Sequence, residues 1–312
     1  MTTTTHKIIF FGSSGLSADI LSYVLENGTF LNIVGIVTQP SREGAHAHQT
    51  DTPVARVAKE YKVPLFRPVR TSDCIEELRP LEAEAGLLFA YGQILKPDLL
   101  ALFSKGIINI HPSLLPKYRG PSPIEAAILA GDTEVGTTIM KITEQMDAGP
   151  ILSQVSFSVS PMTSKQELTQ KLISASKELL LPTLHKYLAG YLVPQEQPDE
   201  GVTFCKLINK TAGQVSLSDV SATELERMIR AYAGWPGVSV VLPEKLDRLR
   251  IHNAHQIDNV AAEPGVYIHN KQLILITKDG TLAADQVQLP GRKILDAKQA
   301  LNGLRVPKLP QS

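Results

Sequence analysis

Along the first two-thirds of the chain, short apolar runs alternate with longer segments of helical period. "HKIIFFG", residues 6–12, is an apolar run closed by glycine, and Leu16, Ile20, Leu21, Val24 and Leu25 then recur at helical spacing up to Gly28. "FLNIVGIVTQP" gives a second apolar run stopped by Pro40. Strand, helix, strand is a βαβ unit, and two continuous apolar strands suit a parallel sheet buried on both faces. Further strands are predicted at "AGLLFAY", "KGIINIH", "VGTTIMKI" and "PILSQVSFSV", and helices at "TPVARVAKEYK", "SPIEAAILAG" and "KQELTQKLISASKELLLPTLHKYLAG". This pattern is that of a doubly wound α/β domain.

The period is lost in "GYLVPQEQPDEGVTF", whose prolines, glycines and polar residues read as a connection between domains. One helix follows, "SATELERMIRAYAGWPG", in which Ser221 and Glu224 fit a capping box. The remaining runs "VSVVLP", "LRIHNAHQI", "GVYIHNKQLILITK" and "LAADQVQLPG" predict short strands separated by turns, which fits a small β-barrel or a partly open Greek key. The expected division is 1–190, a linker at 191–205, and 206–312.

A chain of 312 residues suits two domains, and 43% hydrophobic with 20% charged residues exclude a disordered or fibrous class. Lys+Arg and Asp+Glu both total 31, so no global field points to a nucleic acid or a membrane. From Cys205 onward, however, 14 basic face 10 acidic residues, an excess equally compatible with an anionic partner and with ordinary variation between two solvated surfaces. The two cysteines, Cys74 and Cys205, are far apart and have no neighbours at metal-ligand spacing, so neither a disulfide scaffold nor a metal is expected. The start lacks a basic segment followed by an apolar one, and no run approaches about 20 apolar residues. A cytoplasmic monomer without membrane contact is the expectation.

"FFGSSG" lies where a dinucleotide fingerprint would lie but does not match GxGxxG, and no GxxxxGK[ST] phosphate loop occurs. More chemistry sits in "NIHPSLLPKYRG". If "GIINI" is a central strand, Asn109 and His111 leave its carboxyl end on one face, at the edge where α/β sheets bind ligands. A second polar segment, "GTTIMKITEQMDAGPIL", places Asp147 in a turn, where it is also a candidate for plain turn formation. An amide, an imidazole and a carboxylate together suit transfer of an acyl-type group to an amine. Asn109 and a protonated His111 would stabilise an oxyanion, with Asp147 keeping His111 charged.

"NIHPSLLPKYRG", "GDTEVGTTIMKITEQMDAGPIL" and "FAYGQIL" resemble the signature of the folate-dependent formyltransferases. "RAYAGWPG" and "LPGRKILDAKQALNG" resemble the C-terminal domain of members that act on charged tRNA, so the resemblance covers nearly the whole chain. It implies a Rossmann-like catalytic domain followed by an OB-like β-barrel. The implied donor is 10-formyltetrahydrofolate, released as tetrahydrofolate, and the implied acceptor is the α-amine of methionyl-initiator tRNA. The family's catalytic asparagine, histidine and aspartate fall on Asn109, His111 and Asp147. Its folate-contacting segment falls on Ser113, Leu114, Leu115 and Pro116, and the loop walling the pterin pocket through backbone groups on Phe89, Ala90, Tyr91 and Gly92.

The chain departs from the family in two places. The acceptor-binding loop, commonly rich in Arg and Lys, here reads "QPSREGAHAHQTDTPV", with Arg42 its only fixed cation and His46 and His48 beside it. "FFGSSGLSADIL" stands where a GTP-like tripeptide and a Phe-Ala pair are usual. The alternatives are a formyltransferase acting on an amino sugar or other small amine, and a non-catalytic folate- or RNA-binding protein on the same scaffold.

Overall fold

The computed structural model describes residues 5–40, 42–43, 49–242, 248–304 and 306–310. The chain forms two compact units: Met1–Gly120, Glu134–Ser158 and Thr169–Phe204 make the first, and Pro121–Thr133, Val159–Leu168 and Cys205–Ser312 the second.

The strands of the first unit are β1 (His6–Gly12), β2 (Leu31–Val37), β3 (Arg42–Glu43), β4 (Gln49–Thr50), β5 (Leu65–Phe66), β6 (Ala85–Phe89), β7 (Ile107–His111), β8 (Glu134–Lys141) and β9 (Ile151–Ser158). One sheet has the order β5-β2-β1-β6-β7-β8-β9, while β3 and β4 form a two-stranded sheet. The first five strands of that order are parallel, and β8 and β9 run antiparallel at one side. On β1 the pleat sends Ile8 and Phe10 into one apolar cluster and Ile9 and Phe11 into another. The sheet is thus buried on both faces, which explains why its strands read as continuous apolar runs.

Helices α1 (Gly15–Asn27), α2 (Pro53–Glu60), α3 (Ile75–Leu78) and α4 (Pro97–Leu100) belong to the first unit, α5 (Pro123–Ala130) to the second, and α6 (Lys165–Leu188) contributes its residues from Thr169 onward to the first. Ser14 caps α1, its hydroxyl accepting from the Ser17 N–H at 3.1 Å, and Ile20, Leu21 and Val24 face the core. Thr52 caps α2 in the same way, with Pro53 at the first helical position, where a missing N–H costs no intrahelical bond. Strand β6 ends at Phe89, two residues short of the predicted run. Ala90 takes a positive φ of 45°, and the Ser17 hydroxyl donates to the Phe89 carbonyl at 2.6 Å, replacing a ladder partner.

In the second unit the elements are β10 (Gln214–Val215), α7 (Ala222–Ala231), β11 (Val238–Val241), β12 (Arg248–Ile257), β13 (Gly265–His269), β14 (Gln272–Ile276), β15 (Thr281–Gln288), β16 (Leu295–Asp296) and α8 (Ala297–Ala300). The capping box predicted for α7 is present: Ser221 accepts from the Glu224 N–H at 3.0 Å, and Glu224 accepts from the Ser221 N–H at 2.7 Å. Sheet order β10-β11-β12-β15-β14-β13, with β16 beside β15, contains the Greek key β12-β15-β14-β13, and no ladder joins β10 to β13 among the described residues. "GVYIHNKQLILITK" forms a hairpin, in which Asn270 and Lys271 both have positive φ, as a two-residue primed turn requires. Arg227 donates to the Ala130 carbonyl at 3.0 Å, tying α7 to the carboxyl end of α5. Among the described residues no helix is long and apolar enough to cross a membrane.

Candidate active site

Strand β7 sets the site. Ile108 and Ile110 point into one core cluster and Ile107 into the other, so Asn109 and His111 continue the Ile107 face towards the carboxyl end of the strand. Both are buried, at 8% and 4% exposure. The Asn109 amide has no hydrogen-bond partner among the described residues. A buried amide normally finds partners, so this one is available to a ligand.

His111 has partners on both ring nitrogens. Nε2 lies 3.0 Å from the Tyr118 carbonyl oxygen. A carbonyl only accepts, so Nε2 carries the proton and Nδ1 of the neutral ring is the basic nitrogen. Nδ1 lies 3.7 Å from Asp147 Oδ2, within Coulombic reach but beyond hydrogen-bond length. Burial pushes the His111 pKa below the ordinary imidazole value, with the Asp147 charge and the Tyr118 carbonyl only partly opposing it. This corrects the expectation of a histidine kept charged by Asp147: desolvation outweighs a carboxylate that stands off the ring, and His111 is neutral near pH 7.

Asp147 reaches His111 by an indirect path. Because β8 is antiparallel to β7, with Lys141 opposite Ile108, the loop 142–150 leaves the sheet near the amino end of β7. It must return about 10 Å, three residues of strand rise, to meet His111. Ile142 packs on the Ile107 side of the sheet, which puts the start of this path on the Asn109 and His111 face. The Gly120 N–H donates to Asp147 Oδ2 at 2.8 Å, orienting the carboxylate, and Asp147 itself has a positive φ of 48°.

The exit loop from β7 is held from within. Thr138 Oγ1 donates to the Ser113 carbonyl at 2.6 Å and lies 3.1 Å from the Leu115 nitrogen, whose N–H it accepts, while Gln154 Nε2 donates to the Leu115 carbonyl at 2.7 Å. The Ser113 hydroxyl donates to the Lys117 carbonyl at 2.6 Å, Leu115 is a core residue, and the Leu115–Pro116 peptide is cis. Leu114 lies over Gly136, where a β-carbon would come within 2.5 Å of its side chain. Ser113 to Pro116 therefore shape the loop, with Leu114 and Pro116 half-buried.

Beside this, Phe89 and Tyr91 turn into the core while Ala90 and Gly92 are exposed. The carbonyls of this turn are engaged: Ser17 donates to Phe89, and Gln39 Nε2 donates to Tyr91 at 2.8 Å with the Ser13 hydroxyl at 3.3 Å. Ser13 and Ser17, part of the unusual "SSGLS" turn, thus anchor the 89–92 loop. Gln93 Nε2 donates to the Val69 carbonyl at 3.2 Å, and Val69 and Ile94 stand 77% and 85% exposed.

Arg42 lies in the two-residue strand β3, and the structure describes its backbone alone; His46 and His48 lie outside the described residues. No cluster of potential metal ligands occurs among the described residues. Sequence reasoning overlooked Gln197, within the presumed linker. It accepts from Arg119 Nε at 3.0 Å and Nη2 at 2.8 Å and donates to the carbonyls of Asp147 and Gly149, each at 2.8 Å. Its surroundings, "PQEQPDE", gave no periodic or motif signal.

Asn109, a buried neutral His111 and Asp147 thus lie at the carboxyl end of an α/β strand. The chain belongs to the formyl transferase family: the family's model matches residues 6–184, and the model for the formyl transferase C-terminal domain matches residues 207–305. It is similar, at 36% identity over 96% of both chains, to the methionyl-tRNA formyltransferase of Roseiflexus castenholzii. The methionyl-tRNA formyltransferase of Thermotoga maritima is 35% identical over 95% of both. Among solved structures, HypX from Aquifex aeolicus in complex with tetrahydrofolic acid superposes with a TM-score of 0.65, covering 98% of this chain and 49% of that one; at 15% identity the likeness is one of fold.

Proposed function

We infer that this protein transfers a formyl group from 10-formyltetrahydrofolate to the α-amine of methionine esterified to initiator tRNA. The observation that carries the reading is the convergence of Asn109, His111 and Asp147, in a chain similar along nearly its whole length to methionyl-tRNA formyltransferases.

The folate supplies the formyl carbon. Exposed Val69 and Ile94, joined through Gln93, offer apolar surface for its aromatic rings, and exposed Ala90 and Gly92 lie along the same loop. Ser113, Leu114, Leu115 and Pro116 act by holding the loop that faces the folate, and Phe89 and Tyr91 by seating the opposite wall.

Asn109 donates to the formyl oxygen as it gains negative charge, a contribution typically worth about 10² to 10³ in rate for one such donor. His111, neutral at the outset, accepts through Nδ1 the proton that the attacking amine loses. Asp147 stabilises the resulting imidazolium. As the bond from the formyl carbon to the folate nitrogen breaks, His111 returns that proton to the departing nitrogen, so the new carbon–nitrogen bond on methionine replaces the old one and the charge of the protein is unchanged over the cycle. Arg42 and the basic excess beyond Cys205 serve the tRNA phosphates, an interaction that weakens with salt.

Purified protein is incubated with 10-formyltetrahydrofolate and methionine-charged initiator tRNA, with free methionine and an amino sugar as parallel acceptors. Formylation confined to the charged tRNA supports the reading; formylation of the amino sugar, or of no acceptor, overturns it.

A further inference from the structure

Loop 142–150 has to return along β7 before Asp147 can meet His111, and the segment 195–203 provides external anchors for both partners of the pair. Gln195 exchanges two backbone hydrogen bonds with Ile151, at 2.7 and 2.8 Å, immediately after the Asp147 turn. Thr203 lies against the other loop: its carbonyl accepts from the Arg119 N–H at 2.9 Å, its hydroxyl oxygen accepts from the Tyr118 N–H at 2.8 Å, and its N–H donates to the Pro116 carbonyl at 3.3 Å. Tyr118 is the residue whose carbonyl fixes His111 Nε2. Between these ends, Gln197 spans the two loops. Its amide has two N–H donors and two acceptor lone pairs, and all four are used, on the carbonyls of Asp147 and Gly149 and on the Arg119 guanidinium.

We propose that Gln197 is a positioning residue for formyl transfer: by clamping the Asp147 turn to the Arg119 side of the β7 exit loop, it sets the separation of His111 and Asp147. This rests on the formyl-transfer reading for its kinetic consequence but not for its structural one. Gln197 is half-exposed and lies outside the hydrophobic core, so its replacement acts on the loops rather than on the fold. Asp147 is the charged group whose field opposes the effect of burial on His111. Release of the turn lets the carboxylate move away, and the imidazolium loses its stabilisation.

The test compares the parent with Gln197→Ala and Gln197→Glu. The glutamate keeps the length and an acceptor for Arg119 while facing a carboxylate towards two carbonyls, so it separates the Asp147 arm of the clamp from the Arg119 arm and serves if the alanine variant unfolds. Two readouts are taken: kcat and KM for the formyl donor with charged tRNA, and the His111 titration in the substrate-free protein by NMR, its signal identified by its loss in His111→Gln. In both variants kcat is expected to fall on the order of ten- to a hundredfold, as for a misplaced catalytic group, with the donor KM within a few-fold and the His111 pKa moved lower. Parent-like kcat overturns the proposal, as does a His111 titration that is unchanged or raised, whatever happens to kcat. If the parent fails to formylate charged tRNA, the functional reading fails, and the titration alone still decides the role of Gln197.

Discussion

The Lys141 carbonyl oxygen occupies the space that a β-carbon on Gly149 would need: an ideal Cβ there would lie 1.9 Å from it. Glycine in "DAGP" therefore serves a backbone approach at the neck of the loop that returns Asp147 to His111. Gly149→Ala should force the neck open, at a cost of about 1–3 kcal/mol for overpacking, and lower formyl transfer on the order of 10²-fold through displacement of Asp147. Melting temperature and single-turnover rate measured on the same preparation check this; an alanine variant with the parent's rate would show that the neck does not set the carboxylate.

The neutral state of His111 has a consequence for stability. Burial lowers its pKa, so below about pH 6.5, the ordinary imidazole value, the unfolded chain binds a proton that the folded chain resists. Since stability rises with pH wherever the unfolded state binds more protons, the contribution is fully present above about 6.5 and is lost as pH falls through that value towards the lower folded one. His111→Gln should therefore flatten part of the decline in melting temperature between about pH 7 and pH 5.5. An undiminished slope in the variant would place the pH dependence elsewhere.

Much of strand β7 was legible because burial on both faces leaves an unmistakable apolar run, against which Asn109 and His111 stand out at period two. The charge state of His111 was not legible: it depends on the balance between desolvation and a carboxylate brought from 36 residues away by a loop whose return path no local pattern encodes. Strand β6 was overextended because "FAY" has strand propensity, while the Ser17 hydroxyl that ends it is distant in sequence. Gln197 was hidden for the same reason, since an aperiodic segment rich in Gln, Glu and Pro reads as linker wherever its side chains happen to reach.

The two thiols should differ sharply in reactivity. Burial, reinforced by the Glu77 charge, pushes the Cys74 pKa to about 11, whereas Cys205 is partly exposed, its sulfur accepting from the Ser122 N–H at 3.3 Å. At pH 8 the Cys74 thiolate fraction is on the order of one in a thousand, and the thiolate is the nucleophile. Titration of the native protein with an aromatic disulfide reagent should release one equivalent quickly and the second only after denaturation. Cys205→Ser should abolish the fast phase; a fast phase surviving that change would contradict the buried placement of Cys74.

Within the second unit, Glu226 and Arg230 form a two-pronged ion pair one helical turn apart, with Arg230 Nη2 donating to Glu226 Oε2 at 2.8 Å and Nη1 to the Thr163 carbonyl at 3.0 Å. Their side chains are only 8% and 12% exposed, so the pair is desolvated and each charge depends on the other. Replacing one partner strands the remaining charge in a poorly solvated site and costs about 3–5 kcal/mol, whereas replacing both with apolar residues of similar volume is often neutral. Arg230→Met should therefore lower the melting temperature markedly, and Glu226→Leu combined with Arg230→Met should recover most of the loss. A double variant no more stable than Arg230→Met would mean that the hydrogen bond to Thr163, rather than the stranded carboxylate, carries the cost.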